Sequence, residues 1–432
     1  MKKLNKKQII ILLISIITII VLIGILIGLN VIKINIANNN YKSANSELNN
    51  GNLLPEYIKK GITLGGVTGT LEELDTFDAT ATEEDILWGK TAYVKGQKIT
   101  GTKVLTVEKG KETQKIFEEN TTLIDDYGNN VKVPAGFKIA SDSATNVTDG
   151  VVIEDANANG TNSSTVGSQF VWVPVGNVIT DSNGSTVSID LGRYTFDSNG
   201  KETLIQSASE YSSEIQLRDN YNETTIGGYY LECLKDKVTS NSKAKDISDF
   251  IQKTTNSGGY YIGRYEAGDY TATDNARNAD SNDDNPIVCK KGVYPYNYIT
   301  QIQSSELCQN MYANKDFESD LVNSYAWDTT ITFIQKCSQN KNYSNKEIPQ
   351  TELIKCGEMY SGQENDVECN IYDMAKNPGE WTTETFVHSE LYANTVRGTV
   401  SYNTYHKPIG RDVSTDANHS NEYVSYRPIL YL

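Results

Sequence analysis

The feature that most constrains this chain is an uncharged run, rich in isoleucine and leucine, at residues 9–29. Such a run is long enough to cross a bilayer as a helix. Four lysines precede it and only Lys33 follows closely, so the positive-inside rule places residues 1–8 in the cytoplasm as a short tail. The run is too long for the core of a signal peptide, and no small-x-small cleavage site follows it. We therefore expect a transmembrane signal anchor at residues 9–32, in a single-pass protein of the cell membrane whose C-terminal domain is extracellular.

The charge of the chain restricts its partners. The net charge is −16 and the isoelectric point is near 4.8. A nucleic acid needs a basic protein surface, so we expect no nucleic-acid partner. With 432 residues, of which 38% are hydrophobic, the chain can bury a sizeable core and is expected to hold more than one folded unit.

A short pattern occurs twice after the anchor. Residues 33–54 are rich in Asn, Ser and Lys and are expected to form a linker. In the next segment, residues 66–70 (GVTGT) recur as residues 98–102 (KITGT), each after a short apolar strand. The pattern resembles the small β-hairpin repeats of phage tail fibres and bacterial surface proteins. Two interpretations stay open: a β-hairpin stalk at residues 55–104, through which the protein could oligomerise, or a loosely folded segment with a chance similarity.

An α+β domain is expected at residues 125–432, after a second linker at residues 105–124. Alternating patterns predict strands at residues 131–134 and 136–139, and apolar residues on both faces of residues 170–174 indicate a buried strand. Residues 181–257 are polar and irregular and are expected to form an insertion.

Helical patterns occur at four places in this domain. The predicted helices cover about residues 207–217, 246–253 and 304–312, and a fourth helix begins near Ser324, which is the predicted N-cap. In the fourth helix Trp327, Ile331 and Ile334 lie on one apolar stripe, which we assign to the core.

Residues 370–383 (NIYDMAKNPGEWTT) combine a turn with two carboxylates. The Asn-Pro-Gly sequence favours a turn, and Asp373 and Glu380 bracket it. Two carboxylates and free backbone carbonyls are ligands that calcium prefers, so the pair is a candidate calcium site. The alternative is an ordinary turn with Trp381 packed in the core.

The same segment resembles the "YDMxGNxWEW" signature of the formylglycine-generating, sulfatase-modifying-factor family, whose members share a C-type-lectin-like fold. Other pieces follow in the family's order: residues 258–266 (GGYYIGRYE) are similar to its strand "FxIxxxEV", residues 396–398 to "RGG", Arg411 to an inner arginine, and residues 425–427 to "GFR". The chain departs from the family at Lys376, Pro378, Gly379, Thr399 and Ser425. The resemblance covers about residues 165–432 and implies a C-type-lectin-like fold for the domain.

The cysteines separate this chain from the family's enzymes. Formylglycine-generating enzymes use two cysteines, placed between "RGG" and "GFR", to bind copper. Here no cysteine follows Cys369, so that thiolate chemistry is not expected and we predict a protein that is not an enzyme. Six cysteines outside the predicted membrane segment permit disulfides, with 15 pairings that stay open.

Residues 382–426 are dense in Tyr, Asn, Ser, Thr and Asp, and all three histidines lie there. Tyrosine with adaptable Ser and Asn is the composition of a paratope. The segment also resembles the variable proteins of diversity-generating retroelements, which are non-catalytic. The predicted ligand-binding residues are Tyr392, Asn394, Tyr402, Asn403, Tyr405, His406, Asn418, His419, Asn421 and Tyr423. The predicted framework consists of Trp381, Arg397, Gly398, Arg411 and Arg427.

These features favour a membrane-anchored surface protein that binds an unidentified protein or glycan. An alternative is an enzyme of the same superfamily with non-thiol metal chemistry, for which His406 with Asp412 or Glu384 is the candidate cluster. A third is a structural fibre component.

Overall fold

The structure is a computed structural model. It describes residues 6–49, 53–72, 76–108, 115–203, 205, 217–218, 247–271, 285–349, 356, 358, 360–363, 366–375, 378–386, 394–398, 407–415 and 420–432. The chain divides into two compact units, Met1–Lys103 and Val104–Leu432, called here the N-terminal unit and the C-terminal unit. Helices and sheets are mixed, so the predicted α+β class is confirmed.

The N-terminal unit begins with one long helix, α1, at Lys6–Asn49. Its segment Leu13–Ile36 is 24 residues long and apolar enough to cross a membrane. The apolar side chains described along this segment are exposed, and the hydroxyls of Ser15 and Thr18 each donate to the carbonyl four residues earlier at 2.9 Å. An apolar surface on all sides with satisfied hydroxyls suits lipid.

The linker predicted at residues 33–54 is wrong over most of its length, because α1 continues to Asn49. Neither glycine nor proline occurs in residues 29–50. These are the residues that usually end a helix, so nothing in the sequence stops α1 before Gly51.

Two modules of the same construction follow α1. Their strands are β1 (Thr63–Leu64), β2 (Val67–Thr68), β3 (Thr91–Val94) and β4 (Gln97–Thr100). Each module has a 3-10 helix, at Pro55–Tyr57 or Glu83–Asp85, followed by an antiparallel hairpin, β1–β2 or β3–β4. The same hydrogen bond closes both: the Lys60 amide donates to the Leu71 carbonyl at 2.8 Å, and the Trp88 amide donates to the Lys103 carbonyl at 2.9 Å. The repeat thus extends well beyond the five residues visible in the sequence.

Gly69 and Gly101 occupy the same place in the two modules. A Cβ on Gly69 would lie 2.2 Å from the Ile58 carbonyl oxygen, and a Cβ on Gly101 would lie 2.2 Å from the Ile86 carbonyl oxygen. Both contacts are far shorter than real carbon–oxygen contacts. The repeated glycine is therefore required by a close approach of two backbone segments.

Gly101→Ala is expected to open the second module, because the clash is with backbone atoms that cannot rotate away. The matched control is Gly89→Ala. Gly89 has φ +77° but open space around its Cα, so alanine there costs only about 1–2 kcal/mol of backbone strain. Trypsin digestion followed by mass spectrometry should show faster cleavage after Lys90, Lys95 and Lys98 in Gly101→Ala than in the control. Equal resistance of the two variants would contradict this role.

The C-terminal unit contains the remaining strands, β5 to β23. They are β5 (Thr121–Ile124), β6 (Asn130–Val133), β7 (Phe137–Ile139), β8 (Val152–Asp155), β9 (Gln169–Pro174), β10 (Gly176–Ile179), β11 (Thr186–Ile189), β12 (Leu217–Arg218), β13 (Gly259–Gly263), β14 (Gly268–Asp269), β15 (Ile287–Val288), β16 (Glu318–Leu321), β17 (Val367–Glu368), β18 (Ile371–Tyr372), β19 (Gly379–Phe386), β20 (Asn394–Arg397), β21 (Arg411–Thr415), β22 (Val424–Tyr426) and β23 (Pro428–Tyr431).

Two larger sheets organise this unit. The main sheet has the order β16-β23-β13-β9-β8-β7 and is antiparallel throughout. The second sheet has the order β12-β19-β20-β21, and β22 pairs in parallel with β19. Because β22 and β23 are almost continuous in the chain, one segment contributes a strand to each sheet and ties the two together.

In the part of the C-terminal unit that the structure describes, three helices pack on these sheets: α2 (Ile247–Ser257), α3 (Gln301–Met311) and α4 (Ser324–Cys337). α2 lies against β13 and β23, α3 against β16 and β19, and α4 against β9 and β19. The helices predicted at 246–253, 304–312 and from Ser324 are confirmed, but the N-cap of α4 is Asn323, whose side chain accepts from the Ala326 amide at 2.8 Å. Most of the helix predicted at 207–217 lies outside the described residues, and its last residue belongs to β12.

The core lies between the main sheet and the helices. Phe170, Val171, Trp172 and Val173 of β9 are all fully buried, which confirms the predicted strand with two buried faces. The Trp172 ring meets the Tyr261 ring edge-on, with centroids 5.0 Å apart. The predicted stripe of α4, formed by Trp327, Ile331 and Ile334, is also fully buried.

Two predicted boundaries of this domain are wrong. Residues 105–124 are not a linker, because the Val107 amide donates to the Ile124 carbonyl at 2.9 Å and the side chains of Val107 and Leu123 are buried in the core. The predicted insertion at 181–257 begins and ends inside the domain, since β11 pairs with β10 and α2 covers the main sheet. Apolar side chains at alternating positions give both stretches a core-facing side.

Candidate binding face

By their position in the chain, nine of the ten predicted ligand-binding residues lie between strands of the second sheet, whereas Asn394 is the first residue of β20. The structure describes the backbone of Asn394 and the positions of Asn421 and Tyr423, whereas the others lie outside the described residues: Tyr392, Tyr402, Asn403, Tyr405, His406, Asn418 and His419. His388, the third histidine of the chain, also lies outside them.

The strand directions divide these residues into two groups. β19, β20 and β21 are successively antiparallel, so consecutive connections leave from opposite ends of the sheet. β19 and β21 end, and β20 begins, at one end of the sheet, where Thr385, Asn394 and Thr415 lie. β20 ends at the opposite end of the sheet, at Arg397. The amino-acid composition of residues 382–426 does not reveal at which end of the sheet each strand ends.

The base of the connection after β20 is fixed by hydrogen bonds. The Gly398 amide donates to the Gly410 carbonyl at 3.2 Å, and the Arg397 Nε also donates to Gly410 at 3.2 Å. The indole nitrogen of Trp327 donates to the Pro408 carbonyl at 2.8 Å. Because Trp327 is fully buried in α4, the two ends of this connection are held against the core.

Four charged side chains form a buried ion network between α4 and the second sheet. They are Asp328 on α4, Glu384 on β19, Arg397 on β20 and Arg411 on β21. Arg397 donates to Asp328 and, at 2.7 Å, to Glu384. Arg411 donates to the same two carboxylates at 2.9 and 3.0 Å. Arg411 also donates to the partly exposed Glu202 at 2.9 Å. Two arginines are thus shared among three carboxylates, and each arginine links the helix to the sheet.

Each of the two buried carboxylates, Asp328 and Glu384, is paired with both arginines. Burial opposes the ionisation of Asp328, but attraction to Arg397 and Arg411 outweighs that cost and holds the pKa of this carboxyl below its usual range. Arg411 also lies over the ring of Tyr194, 4.5 Å from its centroid, a favourable cation–π position. Charges buried with this many partners fix the relative positions of the elements that carry them.

The predicted framework residues occupy positions suited to that role. Trp381, Arg397 and Arg427 are fully buried, and the Trp381 indole donates to the Ile299 carbonyl at 2.9 Å. Gly398 has φ +81°, a left-handed conformation that favours glycine. Arg411 is nearly buried within the ion network.

The predicted calcium pair does not act as a pair of metal ligands. Both carboxylate oxygens of Glu380 accept hydrogen bonds from Arg427, so a cation there would face a guanidinium. Asp373 accepts from the Gly362 amide at 3.1 Å. Within the described ranges, no three His, Cys, Asp or Glu side chains are grouped to hold a metal ion. Likewise, one oxygen of Glu384 accepts a hydrogen bond from Arg397 and the other accepts one from Arg411. Glu384 is therefore not available as a metal ligand beside His406.

Sequence reasoning missed a buried carboxyl group near Arg427. Glu266 is buried, and its side chain accepts from the Ser361 hydroxyl at 3.3 Å. Burial, with the nearby Asp373 as the next cause, raises the pKa of Glu266 to about 8. Burial likewise raises the pKa of Asp373 to about 7. One sequence signal could have identified Glu266. It is a glutamate that closely follows a buried strand, as in residues 259–266 (GYYIGRYE).

These two carboxyl groups predict the direction of a pH effect. Their pKa values in the folded protein lie above the values near 4 of the unfolded chain, so the folded state holds protons that the unfolded state has lost. Their contribution to stability is complete below about pH 4 and is lost as the pH rises to about 8. The thermal midpoint of the full-length protein should therefore fall between about pH 5 and pH 8. Glu266→Gln should weaken the dependence and the exposed control Glu118→Gln should keep it; identical profiles would contradict the assignment.

The described cysteines are thiols. Cys289, Cys308, Cys337, Cys356 and Cys369 form no disulfide with one another, and Cys233 lies outside the described residues. Burial raises the pKa of the Cys289 and Cys337 thiols to about 12, which disfavours the reactive thiolate.

Comparisons of the chain with protein-family profiles, with curated protein sequences and with solved structures find no significant match.

Proposed function

We propose that the protein is a membrane-anchored surface receptor that binds a protein or glycan through polar aromatic side chains on the connections of the second sheet. The observation that carries this proposal is the fixed base of the connection after β20. The bond between Gly398 and Gly410, the bond from Trp327 to Pro408 and the ion network hold a rigid support. The segment between these fixed ends carries Tyr402, Asn403, Tyr405 and His406. A rigid support reduces the entropic cost of binding.

A C-type-lectin-like fold is part of the proposal. It rests on the resemblance of residues 370–381 and 396–398, and on three features of the C-terminal unit. β23 pairs inside the main sheet, two successive helices, α3 and α4, contact strands of that sheet, and the segments rich in Tyr and Asn follow strands of a second sheet. Retroelement diversification remains a prediction of the same resemblance.

The proposed orientation rests on α1 and on the lysines before it. The segment Leu13–Ile36 supplies the membrane span, and the lysine-rich N-terminus favours the cytoplasmic side. The C-terminal unit would then face the outside of the cell. Protease treatment of intact cells should remove the C-terminal unit; its full protection would contradict this orientation.

The binding proposal is tested on intact cells that display the full-length protein. Arrays of glycans and of surface proteins supply the ligand screen. Once a ligand is found, Tyr402→Ser with Tyr405→Ser is expected to weaken binding at least about 10-fold, because aromatic anchors dominate interface energies. The thermal midpoint should not change. The control Tyr270→Ser removes a partly exposed tyrosine from the region of β14 and should leave binding intact.

Two results would contradict the proposal. One is binding that survives the double substitution Tyr402→Ser with Tyr405→Ser and also survives a second one, Tyr392→Ser with His419→Ser. The other is a loss of folding in the first variant, which would give its tyrosines a structural role.

A further inference from the structure

The two hairpin modules have almost no core of their own. In residues 53–72 and 76–103, the buried residues are Ile58, Gly69 and Gly101. Two of these three are glycines, which contribute no side chain to a core. Two-stranded sheets are marginally stable in water, and short segments without a core need another surface for stability.

The same residues expose large aromatic side chains. We call Tyr57, Phe77, Trp88 and Tyr93 the module surface; their exposed fractions are 77, 77, 76 and 63%. In β3 the outward positions are Thr91 and Tyr93, whereas Ala92 and Val94 are partly buried. Tyr93 is therefore directed away from the small interior of its own hairpin.

We propose that copies of this chain associate side by side through the module surface. Aromatic side chains bury about 150–250 Å² each, so four that are about three-quarters exposed offer roughly 450–750 Å². Exposed Leu54, Ile62, Leu64 and Leu71 add to this area. The sum approaches the roughly 800 Å² per partner of a stable protein interface.

The charge of the modules supports a second copy as the occupant. The whole chain carries −16, which would repel another copy. Residues 53–103 instead contain six lysines against eight carboxylates, a net charge of only −2. The modules are thus a part of the chain where two copies can meet with little net repulsion.

The anchor helix adds a second argument for a parallel arrangement. Copies inserted through Leu13–Ile36 share one membrane, and the modules of each follow α1 at the same distance along the chain. This confinement raises their effective concentration. A Cβ added at Gly24 or at Gly28, one turn apart in α1, would have no atom within 4 Å, so a second helix could approach there as well. The experiment must separate that contact from the module surface.

Tryptophan fluorescence gives a direct test with the full-length protein in detergent micelles. The chain has four tryptophans, of which Trp172, Trp327 and Trp381 are fully buried. Quenching by acrylamide therefore reports mainly on Trp88. Light scattering, corrected for detergent, gives the number of copies. We expect an oligomer in which Trp88 is protected and a dilution range in which it becomes quenchable.

Variants distinguish the possible contacts. Tyr93→Lys keeps the hairpin core and should raise the dissociation constant of the oligomer at least about 10-fold, the usual effect of losing an aromatic anchor. Trp88→Ser with Tyr93→Ser should give a monomer. Gly24→Leu with Gly28→Leu should retain the association, and so should the control Tyr270→Ser.

Three results would overturn the proposal. The first is a protein that stays monomeric at all concentrations. A monomer in which an added glycan protects Trp88 from the quencher would count as the same result. The second is an oligomer in which Trp88 stays fully quenchable. The third is an association that Gly24→Leu with Gly28→Leu abolishes and the substitutions at Trp88 and Tyr93 do not affect.

Discussion

Arg427→Met is expected to destabilise the C-terminal unit by about 3–5 kcal/mol, since removing one partner of a buried ion pair leaves the other charge without compensation. Arg427 pairs with both oxygens of Glu380 and also donates to the carbonyls of Gly263 and Tyr372 at 3.1 Å. Burial raises the pKa of Glu380 even with this partner present. Urea denaturation of the full-length protein in detergent measures the change in the free energy of unfolding.

A double-mutant cycle provides the control for this prediction. Arg427→Met with Glu380→Gln removes both charges, so the double variant should recover part of the stability lost by Arg427→Met alone. The cost of Arg427→Met should also be smaller at about pH 5 than at about pH 8, because the stranded Glu380 can take up a proton. Strictly additive costs and no pH dependence would show that the pair is not coupled.

Trp381→Ala is expected to cost about 3–5 kcal/mol of unfolding free energy, the usual range for a buried aromatic replaced by alanine. Trp381 is fully buried on β19, and its indole donates to the Ile299 carbonyl, which lies just before α3. The substitution would therefore leave a cavity and an unpaired carbonyl at the junction of the second sheet and a helix. Thermal or urea unfolding measures the cost.

Trp381→Phe separates the two contributions. It keeps most of the ring volume but removes the indole donor, so it should cost about 1–3 kcal/mol, the penalty of one unsatisfied buried group. If Trp381→Ala were as stable as the wild type, the side chain could not be part of the framework on which the second sheet rests.

The sequence predicted the elements that have strong local patterns. The pattern identifies β9 because both of its faces are apolar, and α4 because Trp327, Ile331 and Ile334 share one stripe. For residues 55–104 the repeated glycine pattern left both a β-hairpin stalk and a loosely folded segment open. The N-cap of α4 was misplaced by one residue, since Asn323 and Ser324 are both good capping residues and only the backbone geometry distinguishes them.

The relations that hold the candidate site together could not be read from the sequence. The four charged residues of the ion network come from one helix and three strands. No local sequence pattern predicts that these side chains contact one another. Glu380 looked like a calcium ligand because its partner, Arg427, is 47 residues away. The residues at 105–124 seemed to be a linker because their apolar positions alternate only over short stretches.

The place of β23 affects how the protein is made. This strand lies between β13 and the edge strand β16, so β16 cannot join the main sheet until residues 428–431 have left the ribosome. Nearly the whole C-terminal unit must therefore be synthesised before the sheet is complete. A chain halted a few codons before this strand would leave β16 separate from the four strands β13-β9-β8-β7 and open to the cell's proteases.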